Sequence, residues 1–243
     1  MTFAGARPPV RLNLARYCLS GKPAEKTALI VAGAATQRWS YAGLEDVVLR
    51  LAEGLRREGL EPGARLFIRM GNSLDYALMF FAANAIGAVP IAASPMLTPR
   101  EVAALITFSG ARLMAWDGLL TLPEMEGVSI LTPETIGRLK GTPAGSYADT
   151  GADDPGYMIF TSGTSGTPKG VLHAQRAIWG GGQCMRDGTA SAPRTSCSTP
   201  APSTGPIRWA RACSIPLPMA APRLSTRARK MTTFGNVSLP NTV

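Results

Sequence analysis

A chain of 243 residues with 45% hydrophobic content is long enough to bury a core and has the apolar share of an ordinary globular protein. No window approaches the roughly 18 apolar residues of a membrane span, and Pro8, Pro9, Arg11 and Arg16 interrupt any signal-peptide core, so a cytoplasmic location is expected. The charge of +9 is uneven: residues 1–183 hold 17 Lys/Arg against 15 Asp/Glu, and residues 184–243 hold 8 against the single Asp187, so the basicity belongs to the tail and not to a nucleic-acid-binding domain.

Thr27 to Ala32 and Arg38 to Tyr41 read as short strands around a Gly33-Ala34-Ala35-Thr36 turn. Leu44, Val47, Val48, Leu51 and Leu55 recur at helical spacing, with Glu45, Asp46, Arg50, Glu53 and Arg56 on the other face and Gly59 as the stop. Ala64 to Met70 predicts a strand, entered through Pro62-Gly63. Ser73 to Ile86 predicts a nearly all-apolar helix, too short for a bilayer and therefore packed on a sheet. Gly87 ends that helix, and Ala88 to Ala92 follows as a strand. Thr98, Pro99 and Glu101 form a capping box with proline at the first helical position, and Val102, Leu105 and Ile106 give that helix its apolar face. Leu113 to Trp116 and Val128 to Leu131 read as further strands, and Gly141 to Pro155 as a loop. Such alternation implies an α/β fold built on a doubly wound parallel sheet.

The most informative stretch is Tyr157 to Gly170. Four residues of strand character run into Thr161, Ser162, Gly163, Thr164, Ser165, Gly166, Thr167, Pro168, Lys169 and Gly170. Little side-chain bulk screens the backbone there, and Gly163, Gly166 and Gly170 permit φ values that other residues avoid. Successive N–H groups, hydroxyls and the Lys169 ammonium can converge on a phosphate. A flexible Gly/Ser linker is the plain alternative, but a linker needs neither the buried strand before it nor Pro-Lys-Gly after it. The common P-loop is excluded, because Val171-Leu172-His173-Ala174 continues as a strand where that motif opens a helix. Met158 and Phe160 read as core, His173 as a strand residue, and Lys169 as a phosphate contact or a solvated loop lysine. With Cys18, Cys184, Cys197 and Cys213 lacking ligand spacing and His173 the only histidine, no metal site of the chain's own is expected.

Thr161 to Gly170 closely resembles the phosphate-binding signature of the AMP-forming adenylating enzymes, which include acyl- and aryl-CoA synthetases, peptide-synthetase adenylation domains and luciferases. Trp39-Ser40-Tyr41-Ala42-Gly43-Leu44 and Gly87-Ala88-Val89-Pro90 followed by Leu97-Thr98-Pro99 resemble two earlier motifs of that family, in the same order. The resemblance covers roughly residues 10–183. It implies a ligase that activates a carboxylic acid with ATP and Mg²⁺ to an acyl-adenylate and passes the acyl group to coenzyme A. The flavour is that of an aryl- (benzoate–CoA ligase-like) or medium-chain acyl-CoA ligase of fatty acid metabolism. The family's later motifs do not occur in this sequence: the aromatic-Gly-x-Thr-Glu segment for adenine and magnesium, the Thr-Gly-Asp for ribose, and the late catalytic lysine. The resemblance therefore implies a partial adenylation domain, residues 1–187, without catalytic residues and inactive by itself.

Residues 188–243 contain no Asp or Glu and show no sustained apolar period, which reads as a disordered basic tail. A sharper expectation is a reading-frame error after Asp187. Shifted back by one base, Gly188 to Pro216 can be decoded with permitted synonymous codons as a phrase resembling an acyl-CoA ligase, with its His-x-x-x-Phe-Asn motif. Codons 187–216 unable to encode that phrase in another frame would end the idea. Two other function classes stand beside the ligase: a remnant that holds nucleotide phosphates without catalysis, and nucleic-acid binding through the Arg-rich tail, which has only Trp209 as an interleaved aromatic.

Overall fold

The computed structural model describes residues 7–32, 36–161 and 169–179, with the backbone of 207–209. The chain begins with a helix that sequence periodicity does not reveal, α1 (Leu14–Leu19), which buries Leu14, Ala15, Cys18 and Leu19. Its cap, Asn13, is itself buried. The Asn13 Oδ1 accepts the Arg16 N–H at 3.1 Å, while Nδ2 donates to the carbonyls of Asn84 and Ala85 at 3.0 and 3.2 Å. One side chain thus starts a helix and ties it to the end of another.

Strands β1 (Thr27–Val31) and β2 (Gln37–Ser40) pair antiparallel as the expected hairpin; residues 33–35 of its turn lie outside the described residues. Tyr41, read as the end of a strand, instead opens α2 (Tyr41–Arg57). The reason is local: the Ser40 Oγ accepts the Gly43 N–H at 3.2 Å and caps the helix one residue early. Then come β3 (Arg65–Arg69), α3 (Leu74–Ala85), β4 (Val89–Ala92) and α4 (Pro99–Ser109). Gly87, between α3 and β4, has φ +77°, and a Cβ there would lie 3.1 Å from Thr150 Cγ2, so both conformation and space call for glycine. The capping box of α4 is present as expected. The Thr98 N–H and hydroxyl donate to the Glu101 carboxylate at 2.7 and 2.8 Å and hold its pKa below the ordinary carboxylate value.

Next are β5 (Leu113–Trp116), β6 (Ser129–Leu131) and α5 (Pro133–Leu139). Helix α5 was not foreseen, although Thr132-Pro133 repeats the Thr98-Pro99 start and the Thr132 Oγ1 caps it through the Thr135 N–H at 3.3 Å. It packs closely on α2, where a Cβ on Gly54 would come 2.9 Å from that of Leu139. The chain continues through β7 (Pro155–Thr161) and β8 (Lys169–Ala174). Within the stretch read as a tail, β9 (Ile207–Trp209) pairs antiparallel with the free edge of β1.

Six strands form the main sheet in the order β6-β5-β3-β4-β7-β8, parallel throughout except for the antiparallel β8. The connection through α3 steps from β3 to β4, and α4 then carries the chain back across β3 to β5, which places the two helices on opposite faces. Alternate residues of β3 accordingly enter different cores: Leu66 and Ile68 face α2 and α3, and Phe67 faces α4 with Val89, Ile91, Val102, Ile106, Met114 and Met158. A strand buried on both faces explains the unbroken apolar run Leu66-Phe67-Ile68.

Candidate functional site

In open α/β sheets, ligands sit beyond the carboxyl ends of the strands, where the strand order reverses. Here that edge is formed by the ends of β3, β4, β5 and β7, with the reversal between β3 and β4. Two buried or half-buried side chains stitch it together. Arg69, at the end of β3 and 3% exposed, donates from Nη1 to the carbonyls of Ser94 and Pro95 at 3.1 and 3.2 Å, and from Nη2 to that of Leu97 at 2.8 Å. The Asp117 Oδ2, after β5, accepts the Gly71 N–H at 2.7 Å, and its Oδ1 accepts the N–H groups of Leu119 and Leu120. Burial lowers the guanidinium pKa of Arg69, and Asp117 opposes that shift. Sequence reading missed Arg69; the available signal was a charge directly after the apolar run Leu66-Phe67-Ile68.

The candidate phosphate loop springs from this edge. Strands β7 and β8 pair in register, Tyr157 with His173, Met158 with Leu172, Phe160 with Gly170, and Thr161 with Lys169 as the last rung. Thr161 and Lys169 are both exposed, and among the described residues Lys169 has no ion pair. Of the ten sequence-selected residues, the structure therefore brings Thr161, Lys169 and Gly170 together, while Ser162, Gly163, Thr164, Ser165, Gly166, Thr167 and Pro168 lie outside the described residues. Two readings change. Strand β8 begins at Lys169 and not at Val171, so Lys169 and Gly170 are strand residues. Gly170 is also not among the glycines with left-handed φ. Its constraint is space: a Cβ there would meet Phe108 Cε1 and Phe160 Cε1 at 3.2 Å each, and Met158 Sδ at 3.3 Å.

Behind the stem, the pair Tyr157–His173 stacks with ring centroids 4.5 Å apart and planes 11° from parallel, and Tyr157 leans on Phe80. Met158 is core, as read, and Phe160 packs at its margin. Burial lowers the His173 pKa from 6.5, so the fold favours the neutral ring. As pH falls below about 6.5, the unfolded chain takes up that proton before the folded one does, and stability is lost down through the depressed folded pKa. Thermal melts from pH 7.5 to 5.5 are expected to show a falling Tm whose slope is shallower in His173→Phe; an identical slope in both proteins would contradict this.

The other concavities lie elsewhere. A cleft of about 440 Å³ lined by Arg11, Asn13, Arg16, Tyr17 and Lys22, and another of about 550 Å³ beside Arg7 and Arg176, share no residue with the stem. The candidate site is therefore taken from the Thr161–Lys169 rung and the sequence between its two residues. No helix among the described residues is long and apolar enough to cross a membrane.

Comparison with known proteins agrees with the motif reading. The chain is 30% identical over 209 residues to 4-coumarate–CoA ligase 2 of Oryza sativa subsp. japonica, an alignment covering 74% of this chain and 37% of that protein. It is 28% identical over 154 residues to the long-chain-fatty-acid–CoA ligase FadD13 of Mycobacterium tuberculosis, covering 58% and 30% of the two chains. Among solved structures it is similar to a benzoate CoA ligase from Burkholderia xenovorans LB400, with a TM-score of 0.62 and 26% identity, over 70% of this chain and 36% of that one. The chain thus spans about a third of the length of these relatives. The match to the family described as AMP-binding enzyme runs over residues 17–202, past Asp187 and through all three motifs, and the chain belongs to that family.

Proposed function

We propose that this chain carries the ATP-phosphate-binding element of an AMP-forming acid–CoA ligase. The ligase reaction would join a carboxylic acid, aryl or medium-chain, to the α-phosphate of ATP with release of pyrophosphate, and then transfer the acyl group to coenzyme A. The observation that carries the reading is the Thr161–Lys169 rung: a cation without an ion pair among the described residues and a hydroxyl, in register at the carboxyl edge of a parallel sheet and bracketing the family's phosphate signature. Thr161 to Gly170 would hold the β- and γ-phosphates, and Lys169 would offset their charge as pyrophosphate leaves. Mg²⁺, when bound, would neutralise the same phosphates.

Thermal melts of the full chain with and without MgATP test the binding. A rise in Tm is expected, since saturation at about 100 times Kd adds about 2.7 kcal/mol. Lys169→Ala should weaken ATP affinity by about 10- to 100-fold, in line with the loss of one charge-assisted contact. No Tm rise at millimolar MgATP would end the proposal. Carboxylate-dependent release of pyrophosphate, assayed with benzoate, 4-coumarate and octanoate, separates a ligase from a binding remnant.

A further inference from the structure

Phe108 stands apart from its helix. The buried face of α4 is Val102, Leu105 and Ile106, yet Phe108 is 61% exposed, large and apolar. Its ring meets that of Phe160 edge to face, with centroids 5.7 Å apart and planes at 75°. It also lies over Gly170, at the point where any Cβ would come 3.2 Å from its Cε1. Phe160 and Gly170 are cross-strand partners one rung below Thr161 and Lys169. A residue from α4 therefore covers the last interior rung before the candidate phosphate site, and it can do so because position 170 has no side chain.

We infer that Phe108 is a positioning residue for the phosphate site: by seating on Phe160 and Gly170 it fixes where β8 begins, and hence where Lys169 stands opposite Thr161. The inference rests on the nucleotide reading for its purpose, but not for its geometry. Main-chain hydrogen bonds hold the two strands together along their length, yet among the described residues β8 is the edge strand of the sheet. At its first residues, lateral restraint must come from packing across the face. Phe108 supplies that from one side, with Met158 and Phe160 beneath. This also gives Gly170 a role distinct from backbone freedom. It is the slot that admits the ring.

Trypsin cleavage after Lys169 reads the stem directly and without nucleotide. In the full chain, Phe108→Ala should raise the rate of cleavage at Lys169–Gly170 at least about fivefold while leaving the Tm and cleavage after Arg65 unchanged, since Phe108 lies outside the buried core. Phe108→Tyr, which keeps the ring, should restore the wild-type rate. Gly170→Ala should raise the same cleavage independently, because its methyl displaces the ring or the strand. MgATP affinity should fall about tenfold in Phe108→Ala and recover in Phe108→Tyr. Unchanged Lys169 cleavage in both Phe108→Ala and Gly170→Ala overturns the inference, as does a Phe108→Ala effect spread equally over all sites. Wild-type protein that binds no ATP overturns the nucleotide reading alone, since the cleavage comparison still decides whether Phe108 orders the stem.

Discussion

Phe67→Ala is expected to destabilise the domain by about 3–5 kcal/mol, the range for removing a large buried aromatic side chain. Phe67 is fully buried in the middle of β3, the strand hydrogen-bonded to β4 on one side and β5 on the other. Its ring fills the smaller of the two cores, where Val89, Ile91, Val102, Ile106, Met114 and Met158 surround it. Among the described residues α4 is the one helix over that core, and a cavity left there closes only in part as its neighbours relax. With total stabilities of about 5–15 kcal/mol for domains of this kind, the loss would be a large fraction of the whole. Denaturant unfolding followed by circular dichroism measures it. A loss below about 1 kcal/mol would mean that α4 does not seal this face of the sheet. Because α4 also carries Phe108, the variant should raise trypsin cleavage everywhere, in contrast to the local effect expected of Phe108→Ala.

Much of this architecture was legible because the sequence signals were local. The Thr98-Pro99-Glu101 start, the apolar helix read over Ser73 to Ile86 and the Leu113–Trp116 strand all depend on residues a few positions apart, and each appears where it was expected, the helix within one residue at each end. The misses have a common cause. Helix α1 is only six residues long, too short for an apolar period to register, and is held by Asn13 reaching across the fold to Asn84 and Ala85. Helix α5 carries its cap signal in Thr132-Pro133 but only two buried side chains, Ile136 and Leu139. Partners distant in sequence decide both. A second strand after the loop was read from the sequence, but its antiparallel direction and the steric role of Gly170 were not, since they depend on the strand beside it and on a ring that arrives from α4.

The site divides along the same line. Its proposed chemistry, an anion cradle of small residues, hydroxyls and one lysine, rests on ten consecutive positions and needs no tertiary knowledge to read. Its support is not. Arg69, Asp117 and Phe108 come from β3, the turn after β5 and α4, and they act through carbonyls, a backbone N–H and a ring that only the fold brings near. Gly87 and Thr98, which lie within the motif matches, play the structural parts read for them: one follows α3 against Thr150, and the other starts α4.

Gln175→Leu should cost about 1–3 kcal/mol, chiefly from the buried Leu14 N–H left without its partner, with a second bond lost to the part-buried Pro155 carbonyl. Gln175 is fully buried just after β8. Its Oε1 accepts the Leu14 N–H at 2.7 Å, one of the orphan donors at the start of α1, and its Nε2 donates to the Pro155 carbonyl at 2.9 Å. A single amide therefore joins the first helix to the first residue of the strand that leads to the candidate site. Leucine matches its volume closely, so the loss reports hydrogen bonding and not a cavity. Gln175→Glu separates the two bonds. The carboxylate can still accept from Leu14 but cannot donate to Pro155, and burial raises its pKa, so protonation restores the missing donor. The folded state then binds a proton more readily than the unfolded one, and stability should rise as pH falls from 7.5 toward 5.5. That is the opposite sign to the His173 effect, and the comparison is made against the wild-type slope measured over the same range. A Gln175→Leu loss under about 0.5 kcal/mol, or a Gln175→Glu slope equal to wild type, would show that the amide does not join α1 to β7. If both expectations hold, the same bond that starts α1 also fixes the base of the strand from which Thr161 projects.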